Sequence, residues 1–353
     1  MTTTSTDSNA VIYVGADDGV LYAVDAASGG REWAFTDATE PIQSSPIAAD
    51  GTVCVGATDG VLYAVDAESG DREWTFEEAS SRIASSPTVV GETLYVGAND
   101  GVLYAVDVGT GDRRWAFEDP SGWIRSSPTV VDETVYVGSD DRTLYAVDAA
   151  DGEAVWTFDD PLGPLSSSPT VVDETVYVGS DDRRVYAVDA DTGESVWTFE
   201  DPSGPVFASP AVADGTVYVG AWEALFAVDA ESGDREWVVE YPANGIDASP
   251  TVVDETVYVG LLDGTLRAVD AESSDENWSF DGPSGWIVSA PTVYEGVVYV
   301  GADDGVLYAV DADTGEQRWA FGDPDGGVTS SPTVVASPGD GSSARSGTDG
   351  GDR

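Results

Sequence analysis

Short apolar runs, several with strict alternation of outward polar and inward β-branched or aromatic residues, repeat in the same order along the whole chain. One copy shows the pattern. Ser127-Pro128-Thr129-Val130-Val131 is a β-branched run closed by Asp132-Glu133, and Thr134-Val135-Tyr136-Val137-Gly138 alternates as a half-buried strand does. Ser139-Asp140-Asp141-Arg142 breaks the run, Thr143-Leu144-Tyr145-Ala146-Val147-Asp148 resumes it, Asp151-Gly152 breaks it again, and Glu153-Ala154-Val155-Trp156-Thr157-Phe158 completes it. Acidic, Gly and Ser residues at each break favour tight turns, so the copy predicts four antiparallel strands in sequence and leaves no room for a helix.

The copies align on a glycine at Gly15, Gly56, Gly97, Gly138, Gly179, Gly220, Gly260 and Gly301, and on a tryptophan at Trp33, Trp74, Trp115, Trp156, Trp197, Trp237, Trp278 and Trp319. The spacing slips once, by one residue, between Gly220 and Gly260. A four-stranded unit cannot bury both faces alone, and repetition at this period buries them against neighbours. The expectation is an all-β, eight-bladed propeller over residues 11–335. The first copy starts at its second strand, Val11 to Gly15, so the missing inner strand is supplied by Ser331 to Val335, which closes the ring and removes an open sheet edge. Residues 1–10 and the Gly-, Ser- and Asp-rich residues 336–353 are expected to be disordered.

Ala146-Val147-Asp148, then Gly152, then Trp156 resembles the tryptophan-docking motif of the pyrroloquinoline-quinone (PQQ) repeat propellers, and the eightfold recurrence extends the resemblance over nearly all of the chain. It implies that each indole packs across a blade boundary against small residues of a neighbouring motif, with the Asp closing the turn. Ser274 stands where the other copies have Gly, which suggests looser docking around Trp278. In repeat type the chain is also similar to the propeller subunit of the outer-membrane β-barrel assembly machinery. Enzymes of the PQQ-repeat class hold the quinone over the ring axis with calcium, a catalytic Asp, a stacked Trp and often an adjacent Cys pair. Here Cys54 is the one cysteine, in a slot that Tyr fills in the other copies, and there is no His. Packing is the reading for Cys54, and His-based catalysis and His-ligated metal sites are excluded.

Charge changes the picture of the surroundings more than of the fold. Asp and Glu number 66 against 14 basic residues, every one Arg, for a net charge of -52. The excess recurs in every copy, which points to a surface adapted to high salt and repels nucleic acid and anionic lipid. No basic-then-apolar leader, lipid-attachment Cys or membrane-length apolar run is seen, and a cytoplasmic, monomeric protein is expected. Turns such as Asp189–Glu194 and Asp311–Glu316 resemble calcium loops faintly, but every copy has such a turn, and the carboxylate and Gly satisfy backbone groups without an ion. The pairs Asp17-Asp18, Asp140-Asp141 and Asp181-Asp182 read as solvated hairpin turns.

Positions at which the copies disagree are free of the scaffold. Three residues before each inner-strand proline stand Gln43, Ala84, Arg125, Ser166, Phe207, Asp247, Val288 and Thr329, a slot expected to ring the mouth of the central channel. Trp123, Trp222 and Trp286 are extra to the docking set; Trp222 marks the deletion, and the following copy carries Leu261 and Leu262 at its hairpin and Arg267 where Tyr is usual. The expected function is non-catalytic binding of a protein or peptide at Trp123, Arg125, Phe207, Trp222, Asp247, Leu261, Leu262, Arg267 and Trp286, without cofactor or metal. The alternative, a quinoprotein enzyme or small-ligand binder at the channel mouth, is separated from it by a shift in quinone absorbance on titration with PQQ and calcium. A detached sensor module of a signalling system is a third reading.

Self-repulsion acts over a Debye length of about 10 Å at 0.1 M salt and only ~3 Å at 1 M. Circular dichroism is expected to report a folded protein in molar KCl and loss of structure at about 0.1 M; an unchanged spectrum at low salt contradicts the high-salt reading.

Overall fold

Each set of four runs pairs antiparallel in chain order into one sheet, giving eight four-stranded blades. The computed structural model describes residues 10–241 and 245–336. Blade 1 comprises Ala10–Gly15, Leu21–Asp25 and Arg31–Phe35 with Thr333–Ala336 as its inner strand. Blade 4, representative of the others, is Thr129–Val131, Thr134–Gly138, Leu144–Asp148 and Ala154–Phe158. Among the described residues no helix occurs, and so none long and apolar enough to cross a membrane.

The closure pairs Ala10 with Ala336, Val11 with Val335, Ile12 with Val334 and Tyr13 with Thr333. The propeller therefore reaches one residue further at each end than expected, to Ala10 and Ala336. The rest of the terminal segments expected to be disordered, 1–9 and 337–353, lies outside the described residues.

The hydrophobic core is not one body but eight layers, each between neighbouring blades. Tyr13, Leu21, Ala23 and Phe35 of blade 1, for example, pack with Val53, Val55, Tyr63 and Val65 of blade 2. Cys54 is buried in the next layer, and burial, reinforced by Glu73, pushes its thiol up to about 12, as suits a packing residue.

Every blade carries a register shift between its third and fourth strands immediately after the alanine opposite the docking tryptophan, as at Ala146, which pairs Trp156. The indole then crosses to the next blade. Trp33 donates its Nε1–H to the Ala67 carbonyl at 3.0 Å, and the same bond joins Trp74 to Val108, Trp115 to Ala149, Trp156 to Ala190, Trp197 to Ala230, Trp237 to Ala271, Trp278 to Ala312 and Trp319 to Ala26. The ring lies flat on the turn glycine: a Cβ on Gly152 would sit 2.8 Å from the Trp115 ring, and Gly152 has φ 77°. Because each indole docks onto the following blade, Ser274 lies in the turn under Trp237, not Trp278, whose partner turn keeps Gly315. The looser docking expected at Trp278 is therefore corrected: Ser274 adopts the required φ of 62°, and the Trp237 bond persists at 2.9 Å.

Around the channel, hydroxyls tie inner strands together in a way the strand pattern alone does not reveal. The amide of Ser45 donates to the Ser86 hydroxyl, Ser86 to Ser127, Ser127 to Ser168, Ser168 to Ser209, Ser209 to Ser249, Ala290 to Ser331 and Ser331 to Ser45. The step from Ser249 falls on Ala290, which has no hydroxyl to receive it. A parallel set runs from threonine hydroxyls to the next blade's proline carbonyl, as from Thr129 to Pro169, and is interrupted at Ile47 and Ala211.

Candidate binding face

The loops joining one blade to the next and the hairpins between second and third strands meet on one face. The carbonyl of Trp123 accepts from the amide of Asp140 at 2.8 Å, and Trp286 does the same for Asp303, Pro41 for Thr58 and Gly245 for Leu262. Trp123 and Trp286 are thus held by their backbones, and with the hairpin residue Trp222 they remain accessible: Trp123 is 54%, Trp222 46% and Trp286 59% exposed. Leu162, on the loop before blade 5, is 68% exposed and joins them; it escaped sequence reasoning because its copy keeps the loop's usual Pro and Gly on either side.

The hairpin carboxylates do more than face solvent. Asp18 accepts from the Tyr22 hydroxyl, from the Val20 amide and from the Asp325 amide in the loop of the neighbouring blade. Asp141 takes Tyr145, Thr143 and Ser121 in the same way, and Asp182 takes Tyr186 and Leu162. The second member of each acidic pair is therefore a clamp between blades, correcting the reading of these pairs as simply solvated. Burial and the Asp bond push the Tyr145 and Tyr186 hydroxyls up to about 12, so the clamp keeps its proton at neutral pH. A further bolt, the Ser126 hydroxyl, accepts from the Gly138 amide and donates to its carbonyl; Ser44, Ser167, Ser289 and Ser330 repeat it.

These devices lapse together in blades 6 and 7. Ala208 and Ala248 replace the bolt serine, and Phe226 and Arg267 replace the clamping tyrosine. Here Trp222 sits against Gly204, where a Cβ would meet the Trp222 Cβ at 2.5 Å, and a Cβ on Gly245 would lie 2.8 Å from Leu262 Cδ1 and 3.3 Å from the Trp222 carbonyl oxygen. The Trp222 side chain thus lies on the loop before blade 6, while its backbone carbonyl and the Leu262 side chain flank Gly245 in the loop before blade 7. Trp286 lies on the next loop, while Trp123 lies between blades 3 and 4, away from this sector.

Two expected site residues fall elsewhere. Leu261 is fully buried in the layer between blades 6 and 7, in the slot that small residues such as Ala57 and Ala302 fill in other blades, so it does not present a side chain to a partner. Arg267 lies in the same blade boundary, paired with Glu276 and with its guanidinium carbon 5.8 Å from the Tyr241 ring centroid. It replaces the edge-on aromatic pair found at other boundaries, such as Phe117 with Tyr145, and its Nε is buried with no hydrogen-bond partner among the described residues.

The channel-mouth slot is built on the inner hairpin carboxylates. Arg125 Nε and Nη2 donate to Asp140 at 3.1 and 2.8 Å, Ser166 donates to Asp181 at 2.9 Å, and Gln43 and Thr329 both reach Asp17. Burial raises the Asp181 carboxyl above its ordinary value, against the Ser166 bond and the Arg125 charge, which lower it. In blade 7 the hairpin position that carries a carboxylate in blades 4 and 5 is Leu262, and the slot residue is Asp247. Its Oδ1 is buried with no hydrogen-bond partner among the described residues, and desolvation raises its carboxyl. Phe207 is its half-buried neighbour, since the Ser209 amide bonds the Ser249 hydroxyl two residues further along each chain segment. In the outer turns, Asp189 and Asp311 are occupied by internal donors, Thr192 for one and Thr314 with Arg318 for the other. Among the described residues no group of three or more His, Cys, Asp or Glu side chains is placed to hold a metal ion.

This fold and repeat define a PQQ-repeat β-propeller. Matches to the family described as outer membrane protein assembly factor BamB cover residues 3–118, 117–171, 162–280 and 223–350, and the chain belongs to that family. It is similar in fold to the computationally designed Ika8 protein, with 21% identity, TM-score 0.75 and coverage of 82% of this chain and 89% of that one. It is likewise similar to BamB from Moraxella catarrhalis, with 20% identity, TM-score 0.71 and coverage of 80% and 89%. No curated protein matches the chain.

A carboxyl whose folded pKa is raised favours the native state most when it is protonated in both states, and that contribution falls as pH rises through the folded pKa. Asp247→Asn is therefore expected to stabilise the protein at neutral pH, with the gain vanishing below the ordinary carboxylate range. Denaturant titrations in molar KCl across that pH interval check this; a destabilised variant at neutral pH contradicts it.

Proposed function

We propose that this chain is a non-catalytic propeller that binds a protein or peptide on the loop face, with its main contact over blades 6 and 7. The observation that carries the reading is the joint lapse of bolt and clamp in the two blades where Phe207, Trp222, Leu262 and Asp247 are assembled. Scaffold bonds are absent and large side chains are presented, as expected where binding rather than packing selects the residues. Trp286, Leu162 and Trp123 extend the apolar surface around the same face, and Arg125 and Asp140 form its charged rim near the channel. The family name describes an assembly factor, a role exercised on other proteins, which agrees with a binding scaffold.

The residues present do not fit a quinone site of the enzyme type. The cysteine pair is missing, and the carboxylates at the channel mouth are spread over separate blades and bonded to Gln43, Arg125, Ser166 and Thr329 instead of converging on a cation.

Affinity capture in molar KCl with the wild-type chain and the Trp222→Ala, Leu262→Ala double variant tests the proposal. Truncating two central apolar contacts is expected to reduce recovery of a specific partner by at least about tenfold. Unchanged recovery removes blades 6 and 7 from the interface.

A further inference from the structure

The sector over blades 6 and 7 carries a detail that narrows its partner. Four polar residues of the channel-mouth slot, Gln43, Arg125, Ser166 and Thr329, each reach a hairpin carboxylate. Asp247 is itself an acceptor and Leu262, at the matching hairpin position, offers no donor, so its Oδ1 is left buried without one among the described residues. The arginine in the equivalent slot of blade 4 is held by Asp140, and the arginine of blade 7, Arg267, is held by Glu276. A carboxylate removed from water without a partner is unfavourable, and a charged donor arriving from outside supplies both the missing hydrogen bond and the neutralising charge.

Beside this carboxylate the surface is apolar. Phe207 occupies the adjacent slot, and Gly245, two residues before Asp247, lies between Leu262 and the Trp222 backbone, with the Trp222 ring 46% exposed. The remaining field of the protein, at a net charge of -52, also favours a cationic partner and disfavours an acidic one.

Resting on the binding-face reading above, we propose that the segment recognised over blades 6 and 7 is a peptide carrying a basic residue next to an apolar one, the ammonium or guanidinium bonding Asp247 and the apolar side chain packing on Phe207, Trp222 and Leu262. The cation is read by one short-range bond and the apolar neighbour by burial, so the site discriminates this pair from either group alone.

Calorimetric titration in about 1 M KCl, where the Debye length is ~3 Å, removes long-range attraction of any cation to the acidic surface and leaves the contact pair. Two synthetic peptides serve as probes, one alternating Leu with Lys and its counterpart alternating Leu with Gln. The Lys peptide is expected to bind the wild-type chain at least about tenfold more tightly than the Gln peptide, the worth of one charge-assisted hydrogen bond. Asp247→Asn is expected to abolish that preference, Trp222→Ala to weaken both peptides, and Val155→Ala, at an exposed residue on the outer strand of blade 4 and off the loop face, to leave both unchanged. Circular dichroism of each variant in the same salt verifies its fold. Equal affinities for the two peptides, a preference that survives Asp247→Asn, or no binding of either peptide overturns the proposal. In each of those cases the broader reading stands or falls separately, on whether partner capture is lost in the Trp222→Ala, Leu262→Ala variant.

Discussion

The structure depends on one interaction repeated around a circle: an indole N–H of one blade bonded to a turn carbonyl of the next, with the ring laid on a glycine that has no side chain to obstruct it. A propeller has no central core to hold its parts, so its cohesion is the sum of boundary layers, and each boundary must be specified separately. The Trp319 bond to Ala26 is the same contact made between the two ends of the chain, beside the strand pairing of Thr333–Ala336 with Ala10–Gly15. An individual tyrosine–tryptophan contact of the kind seen at Tyr13 and Trp33 contributes ~1 kcal/mol beyond area burial, and the ring multiplies it.

Once the boundaries are secured by tryptophans, the hydroxyl bolts and carboxylate clamps act as a second layer of specification, and that layer is what blades 6 and 7 give up. The Trp237 bond to Ala271 persists there although Ser274 replaces the turn glycine, so the sector keeps its fold while losing bonds on the loop face. A carboxylate with one oxygen buried and unpartnered among the described residues, next to exposed and half-buried apolar side chains, is unfavourable in the free protein. Natural proteins tolerate such local conflict where a ligand relieves it.

Much of the fold was legible because periodicity is a global signal: the spacing of Gly15 through Gly301 and of Trp33 through Trp319 specifies the number of blades, and the missing first strand specifies how the ring closes. Directionality was not legible. Which turn an indole meets depends on the sense in which the ring is wound, and the repeat alone does not distinguish Trp237, which Ser274 faces, from Trp278 in its own copy. The channel-mouth slot and the loop tryptophans could be picked out because they differ among copies, whereas Leu261 looked like a surface residue beside a deletion. Its burial was foreshadowed by the small residues in the same slot of the other copies, such as Ala57, Ala98 and Ala302. The clamps were hidden by the acidic excess: Asp18 and Asp141 resemble dozens of solvated carboxylates until Tyr22 and Tyr145 are seen four residues on, pointing back at them.

The tryptophan bonds hold the circle shut, and the junction of the chain ends is where their loss is read. Trp319→Phe removes the N–H donor to Ala26 while keeping an aromatic ring. Hydrogen exchange in molar KCl is expected to accelerate selectively in Ala10–Gly15 and Thr333–Ala336, with the strands of blade 4 unaffected. Exchange in the two closing strands that matches the wild-type protein would contradict the account.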